Sequence, residues 1–249
     1  MSAVAKSVSI IVPTRNEAEN IAALISGIMA QPLPLQEILF VDDNSTDETR
    51  NLIRSHSATR PIRLIEQDSG EPGLAAAIMA GARMAQSDLL LVMDADLSHP
   101  PERIADLLAP LQEESADMVI GSRYTKGGST PAWPLWRRAL SRTGSAAAYP
   151  LTHVRDSLSG FFAIARSRLL EIAPPTIGFK IAFETILHGG PTLRVREIPI
   201  AFHDRARGRS KMSFLIALRF FSRWLIAVWR RTLFPGQTKS GEKTKNSRE

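Results

Sequence analysis

The chain has 249 residues, 44% of them apolar and none of them cysteine, so it can bury a full core and carries no disulfide framework or thiolate metal site. Its net charge of +6 is unevenly placed: residues 201–249 hold 12 Lys and Arg against 3 Asp and Glu, while residues 1–200 hold 19 against 22. A near-neutral body with a basic end and no base-reading motif argues against nucleic acid as the partner and for a phospholipid surface.

The opening residues, MSAVAKSVSIIVPT, lack the apolar core and cleavage site of a signal peptide, so a cytosolic setting is expected. Residues 8–12 read as a buried strand, and Asn16 with Glu19 three positions on forms a capping-box pattern for a helix to about residue 30. Residues 38–41 form the next strand, followed by a helix over about 47–57. A strand at 62–65 and a helix at 73–85 repeat the unit. Strand 89–93 leads into a helix over 101–112 with proline in its first turn, and 118–120 closes the series. The alternation predicts an α/β fold whose parallel sheet is covered on both faces through right-handed crossovers.

In such sheets ligands bind beyond the carboxyl ends of the strands. Three polar clusters fall there: PTRNE (13–17), VDDNSTDET (41–49) and DADLSHP (94–100). Taken singly, each can also be a helix cap. Together they predict one site on one edge. In the third cluster an apolar run ends in Asp94 and Asp96, separated by one alanine. Paired carboxylates at the end of a core strand need a cation, and a spacing of two on extended chain turns both to one side.

These clusters, with GSRY at 121–124, DSLSGFFAI at 156–164 and an Arg205-x-x-Gly208-x-Ser210-Lys211 pattern, resemble the dolichol-phosphate mannosyltransferase branch of the family 2 glycosyltransferases. The likeness runs in order from about residue 8 to residue 211. PTxNE and DxD alone indicate the wider family, and the later motifs narrow it to the polyprenyl-phosphate branch. The resemblance implies a GT-A type, Rossmann-like nucleotide-diphosphosugar transferase fold. It also implies transfer of a hexose, usually mannose from GDP-mannose, to a polyprenyl or dolichyl phosphate.

By the same resemblance Asp94, Asp96 and Ser98 hold Mg²⁺ or Mn²⁺, although relatives commonly carry glutamine where Ser98 stands. Pro13, Arg15, Glu17, Val41, Asp42, Asp43, Ala95 and Lys211 bind the nucleotide-sugar donor. Arg15 departs from an aromatic residue frequent in the family, and the loop at Glu71-Pro72-Gly73 lacks a usual second glycine. Arg123, Arg137, Ser141 and Arg205 bind the acceptor phosphate, and Arg123 and Arg205 count with the two aspartates as catalytic. A phosphate monoester with a second pKa near ~6 is already largely a dianion at neutral pH, so no general base is required and single displacement inverts the anomeric centre. Two alternatives stay open. One is a transferase with a hydroxyl acceptor and Glu184 as base; the other is a catalytically silent nucleotide-sugar-binding subunit, suggested by Ser98.

Residues 1–211 are read as the catalytic domain, 212–234 as an amphipathic interface helix and 235–249 as a disordered basic tail. Within the second segment, residues 214–229 are interrupted by Arg219 and Arg223 and fall short of the roughly 20 residues a spanning helix needs. The expectation is peripheral attachment to the cytoplasmic face of a membrane, alone or beside an integral-membrane partner subunit. Residues 126–134, KGGSTPAWP, have the composition of a mobile lid, and His99 reads as a helix-entry residue.

Overall fold

The strand nearest the N-terminus, β1 (Val8–Thr14), is apolar on both sides because both faces of the sheet are covered. Val8, Ile10 and Val12 point into one core and Ile11 into the other, the alternation expected of a strand. In this computed structural model, which describes residues 5–67, 73–172 and 180–204, the chain continues through α1 (Ala18–Met29), β2 (Leu35–Asp42), α2 (Thr49–Ser57) and β3 (Ile62–Glu66). It then forms α3 (Leu74–Met84), β4 (Leu89–Val92), a 3-10 turn at Pro101–Arg103, α4 (Ile104–Gln112) and β5 (Met118–Ser122). Beyond the predicted series come α5 (Leu135–Thr152), β6 (Phe162–Ala165), α6 (Arg166–Ile172), α7 (Ile181–Gly189) and β7 (Val195–Pro199).

The seven strands lie in the order β3-β2-β1-β4-β6-β5-β7. Chain order therefore reverses direction between β1 and β4, which opens a crevice at their carboxyl ends. Helices α1 and α4 supply Ile21, Leu24, Ile25, Ile28, Leu107 and Leu111 to the core on one face. Helices α3, α6 and α7 supply Ile78, Met79, Leu169, Ile181 and Ile186 to the other.

Two sequence expectations are corrected. The sheet is mixed, because β6 runs antiparallel to both β4 and β5. The chain leaves β5 at the carboxyl edge, and the loop after α5 is held at that same edge by a bond from the Arg123 N–H to Asp156, so β6 enters from there and runs backwards. The capping box does not form: α1 starts after Glu17 with no side-chain cap. Asn16 instead adopts a left-handed conformation (φ 55°), which asparagine tolerates well, and accepts a 2.8 Å bond from the Thr46 N–H.

The segment 126–134, expected as a lid, is tied down at its centre. Ser129 bridges to Ala201, donating to Ile200 O and accepting from Phe202 N at 2.9 Å each. Gly128 makes this possible, since a Cβ there would sit 2.5 Å from the Ser122 carbonyl oxygen. We expect Gly128→Ala to lower the unfolding free energy by about 1–3 kcal/mol in urea denaturation. Gly144→Ala is the control: its Cβ would meet only Leu158 at 3.5 Å, so helix propensity should leave stability unchanged or raised.

Candidate active site

The first two polar clusters interlock at the carboxyl ends of β1 and β2. The Asn16 N–H donates to Ser45 Oγ and the Glu17 N–H to Thr49 Oγ1, both at 2.9 Å, and the Asp43 N–H donates to Thr14 O at 2.9 Å. Asp42, expected to touch the nucleotide, is fully buried, and its carboxylate accepts from Ser45 and the Arg50 Nε–H. It shapes the loop. Val41 is also buried, so only its backbone can face a ligand. Arg15 and Asp43 pair at 3.6 Å, with Pro13 and Glu17 half-buried beside them. This leaves acidic and basic groups at the mouth of the crevice, suited to ribose hydroxyls and ring nitrogens.

The third cluster is a turn. Strand β4 ends at Val92, and the chain bends through residues 94–98 with Leu97 left-handed at φ 63°. The strand alternation expected to align Asp94 and Asp96 thus does not apply, because the hydrogen-bonded ladder stops before them. Asp96 is 4% exposed and accepts from the Ser98 N–H at 3.1 Å, whereas the Asp94 side chain keeps 37% exposure. Ala95 between them is buried.

His99 braces this turn rather than merely opening the helix after it. Its Nδ1 accepts the Asp94 N–H at 2.9 Å, which puts the ring proton on Nε2, 3.8 Å from Asp94 Oδ2. The buried ring stacks on Phe161 at 4.9 Å and meets Phe202 edge-on at 5.5 Å. Burial holds its pKa below the ordinary 6.5, against the pull of the Asp94 and Asp96 carboxylates.

Ser98 tests whether a metal suits this turn. It is fully buried, and its Oγ has no hydrogen-bond partner, a polar atom left without an internal role. Two carboxylates and this hydroxyl are hard oxygen donors of the kind Mg²⁺ and Mn²⁺ take. Among the described residues no three or more His, Cys, Asp and Glu side chains gather to hold an ion by themselves. The donor set therefore fits an ion completed by phosphate oxygens and water.

Cations face the turn. The Arg123 Nε–H and Nη2–H donate to the two oxygens of Asp156 at 2.8 and 2.7 Å, and the Arg123 backbone N–H adds a third bond at 2.8 Å. Burial works against the arginine charge, but Asp156 outweighs it and raises its pKa above the ordinary value. Tyr124, Trp133 and Phe202 ring the guanidinium at 5.2–5.5 Å. Lys180, just before α7, donates to Leu158 O at 3.2 Å. Burial and then the Arg123 charge push its pKa down, while Asp94 and Asp156 pull it up. Arg137 stacks over Trp133 at 4.2 Å and pairs with Asp204 at 2.7 Å, and Ser141 accepts from the Tyr124 hydroxyl at 2.6 Å.

Sequence reasoning thus brought Asp94, Asp96, Ser98 and Arg123 into one neighbourhood but missed the roles of Lys180, Asp156, Trp133 and Phe202. A lone lysine opening an otherwise apolar helix, FKIAF, was the available signal for Lys180. Glu184 lies buried on α7, with His188 Nδ1 3.9 Å from its carboxylate. Arg205, Lys211, the Glu71-Pro72 pair, the interface helix at 212–234 and the tail at 235–249 lie outside the described residues.

Removing Asp156 leaves a buried guanidinium unpaired, so Asp156→Ala should cost about 3–5 kcal/mol of stability in urea denaturation, with much of it recovered in Arg123→Met/Asp156→Leu. A second expectation concerns pH. The unfolded chain protonates residue 99 near the ordinary 6.5 and the folded chain only below it, so stability falls as pH drops through that range. In metal-free buffer the Tm of the wild type should decline between about pH 7.5 and 5.5, and His99→Phe should decline less over the same interval.

Comparison with known proteins shows the family and the fold. A family model, Glycosyl transferase family 2, matches residues 9–173. Dolichol-phosphate mannosyltransferase of Pyrococcus furiosus is 39% identical over 210 residues, covering 82% of this chain, and the chain spans 59% of that protein's length. Its Saccharomyces cerevisiae namesake is 34% identical over 226 residues, 85% of this chain and 83% of its own. Undecaprenyl-phosphate mannosyltransferase of Micrococcus luteus is 35% identical, covering 88% of this chain and 94% of its own. In fold the chain is similar to glucosyl-3-phosphoglycerate synthase of Mycobacterium tuberculosis, solved with Mn²⁺ and UDP-glucose, with a TM-score of 0.69, 19% identity and coverage of 93% and 81%. The architecture is the α/β fold of the GT-A type. With the family model spanning most of the sheet and such relatives aligned over more than four-fifths of the chain, this protein belongs to glycosyl transferase family 2.

Proposed function

We propose that this chain is an inverting, metal-dependent glycosyltransferase that moves a hexose, mannose from GDP-mannose, onto the phosphate of a polyprenyl or dolichyl phosphate. The observation that carries this reading is geometric: the 156–160 loop holds Arg123 through Asp156 and Lys180 through Leu158 O, and at Gly160 it passes so close to the acidic turn that a Cβ would sit 3.4 Å from Asp94 Oδ1, so acids and cations line one neighbourhood. A nucleoside diphosphate and a lipid phosphate are anions that must meet in one place, and such a neighbourhood can hold both. The names of the Pyrococcus, yeast and Micrococcus relatives support the same acceptor class.

Asp94, Asp96 and Ser98 are the residues that would hold Mg²⁺ or Mn²⁺, which when bound supplies positive charge to the departing nucleoside diphosphate. Glu17 and Asp43 accept hydrogen bonds from ribose or base, with Pro13, Arg15 and the Val41 backbone completing the wall. Arg123, fixed in direction by Asp156, offers its remaining N–H groups to the acceptor phosphate, and Lys180 and Arg137 add charge nearby. Arg205 and Lys211 join them in this proposal by motif. The dianionic acceptor attacks without losing a proton, so Glu184 keeps an orienting role. Such an acceptor sets the enzyme at a membrane surface, its cytoplasmic face, alone or with an integral-membrane partner. Among the described residues no helix is long and apolar enough to cross a membrane.

The test incubates the protein with labelled GDP-mannose or UDP-glucose, Mg²⁺ or Mn²⁺ and a short-chain polyprenyl phosphate, and follows label into the organic phase. Transfer from GDP-mannose should exceed that from UDP-glucose, and Asp96→Ala should lower it at least about 100-fold. Failure with every donor, while Asp96→Ala binds nucleotide as tightly as wild type, overturns the proposal.

A further inference from the structure

The loop that carries Asp156 is anchored at two separate points. Toward the acidic turn, Ser159 Oγ donates to Gly121 O at 2.7 Å and accepts the Phe161 N–H at 3.2 Å, which secures the part of the loop that lies against Asp94 and His99. At the other end α5 stops at His153, whose left-handed backbone (φ 54°) turns the chain and leaves the N–H groups of residues 155 and 156 beyond the helix. Such groups need acceptors. One side chain supplies both: Glu197 of the edge strand β7 accepts the Arg155 N–H on Oε2 and the Asp156 N–H on Oε1, each at 3.0 Å.

Two consecutive N–H groups on the two oxygens of one carboxylate fix the rotation of that stretch of backbone as well as its place, and an ionised acceptor makes such bonds stronger than a neutral one does. The side chain that springs from this fixed backbone is the Asp156 carboxylate, and it takes three N–H groups of Arg123. A continuous chain of hydrogen bonds therefore runs from Glu197 through the 155–156 backbone and Asp156 to the guanidinium. Glu197 acts on the arginine only through that chain.

We propose that Glu197 is a positioning residue that sets the direction in which Arg123 meets the acceptor phosphate. The proposal rests on the reading of Arg123 as the acceptor's cation and deepens it. A shift of the 155–156 backbone swings the arginine, whereas the 159–161 end, with its own anchor on Gly121, keeps its place against the acidic turn. Loss of Glu197 is thus felt on the acceptor side and spares the donor side. A misplacement of about 1 Å far from the reacting atoms is enough to weaken such an alignment strongly.

The experiment compares the full chain with Glu197→Gln, which keeps the shape and one accepting oxygen but sets an NH₂ against the second backbone N–H, and with Glu197→Ala, which removes both acceptors. KM for a short-chain polyprenyl phosphate should rise at least about tenfold in the glutamine variant and further in the alanine variant, while KM for GDP-mannose stays within about twofold of wild type. The glutamine variant decides alone if the alanine variant does not fold. In heteronuclear NMR the Arg123 Nε–H signal, identified by its loss in Arg123→Lys, should exchange with solvent at least about tenfold faster in Glu197→Gln than in wild type. A merely structural role lowers kcat through loss of folded enzyme and leaves both KM values and the Arg123 signal unchanged, and that result overturns the proposal. So does a parallel rise in both KM values, since the loop then moves as one unit. Absence of transfer to the polyprenyl phosphate by wild type counts against the lipid-phosphate reading alone, because the Arg123 signal still decides whether Glu197 holds that side chain.

Discussion

One buried carboxylate organises the cationic side of this molecule. Asp156 is fully buried and accepts the backbone N–H, the Nε–H and an Nη2–H of Arg123, while its own N–H is held by Glu197 of β7 at 3.0 Å. A charge in that position is tolerable only when paired and hydrogen-bonded, and the pair in turn joins the end of β5, the 153–161 loop and β7. The antiparallel entry of β6 follows from that anchoring. So does the placement of Gly160, where a Cβ would come within 3.4 Å of both Asp94 Oδ1 and His99 Cε1. The acidic turn and the arginine are therefore set against each other by the fold before any ligand arrives, which is the preorganisation that electrostatic catalysis requires.

Much of this was legible in the sequence. The apolar runs at 8–12, 38–41, 62–65, 89–93 and 118–120 all became strands, because a strand buried on both faces has few other ways to satisfy its side chains. The polar clusters that follow three of them mark the carboxyl edge of the sheet for the same topological reason. Strand direction was not legible. FFAIA is equally apolar read either way, and only the long-range Arg123–Asp156 contact determines where β6 starts. The acidic turn was misread as extended because Met93 is buried and continues the apolar run beyond the point where β4 ends.

Residue type also failed to separate groups that build the site from groups that can face a ligand. Asp42 and Asp43 are adjacent and chemically identical, yet Asp42 is enclosed by Arg50 and Ser45 while Asp43 remains half-buried beside Arg15. His99 next to two acids suggests either a ligand or a helix cap, but its Nδ1 supports the Asp94 backbone from within an aromatic stack. Lys180 and Asp156 belong to the site through contacts spanning tens of residues in sequence, which no local pattern encodes.

The pairing of Arg137 with Asp204 alters how that corner responds to an anion. A guanidinium that already holds a carboxylate does not gain a full new ion pair when a phosphate arrives; it exchanges one partner for another, and the net affinity is the difference between the two. Added salt weakens both pairings together, so it shifts this exchange far less than it would shift capture by a bare cation. Discrimination among anions by such a pre-paired cation rests on their charge number and geometry more than on ionic strength.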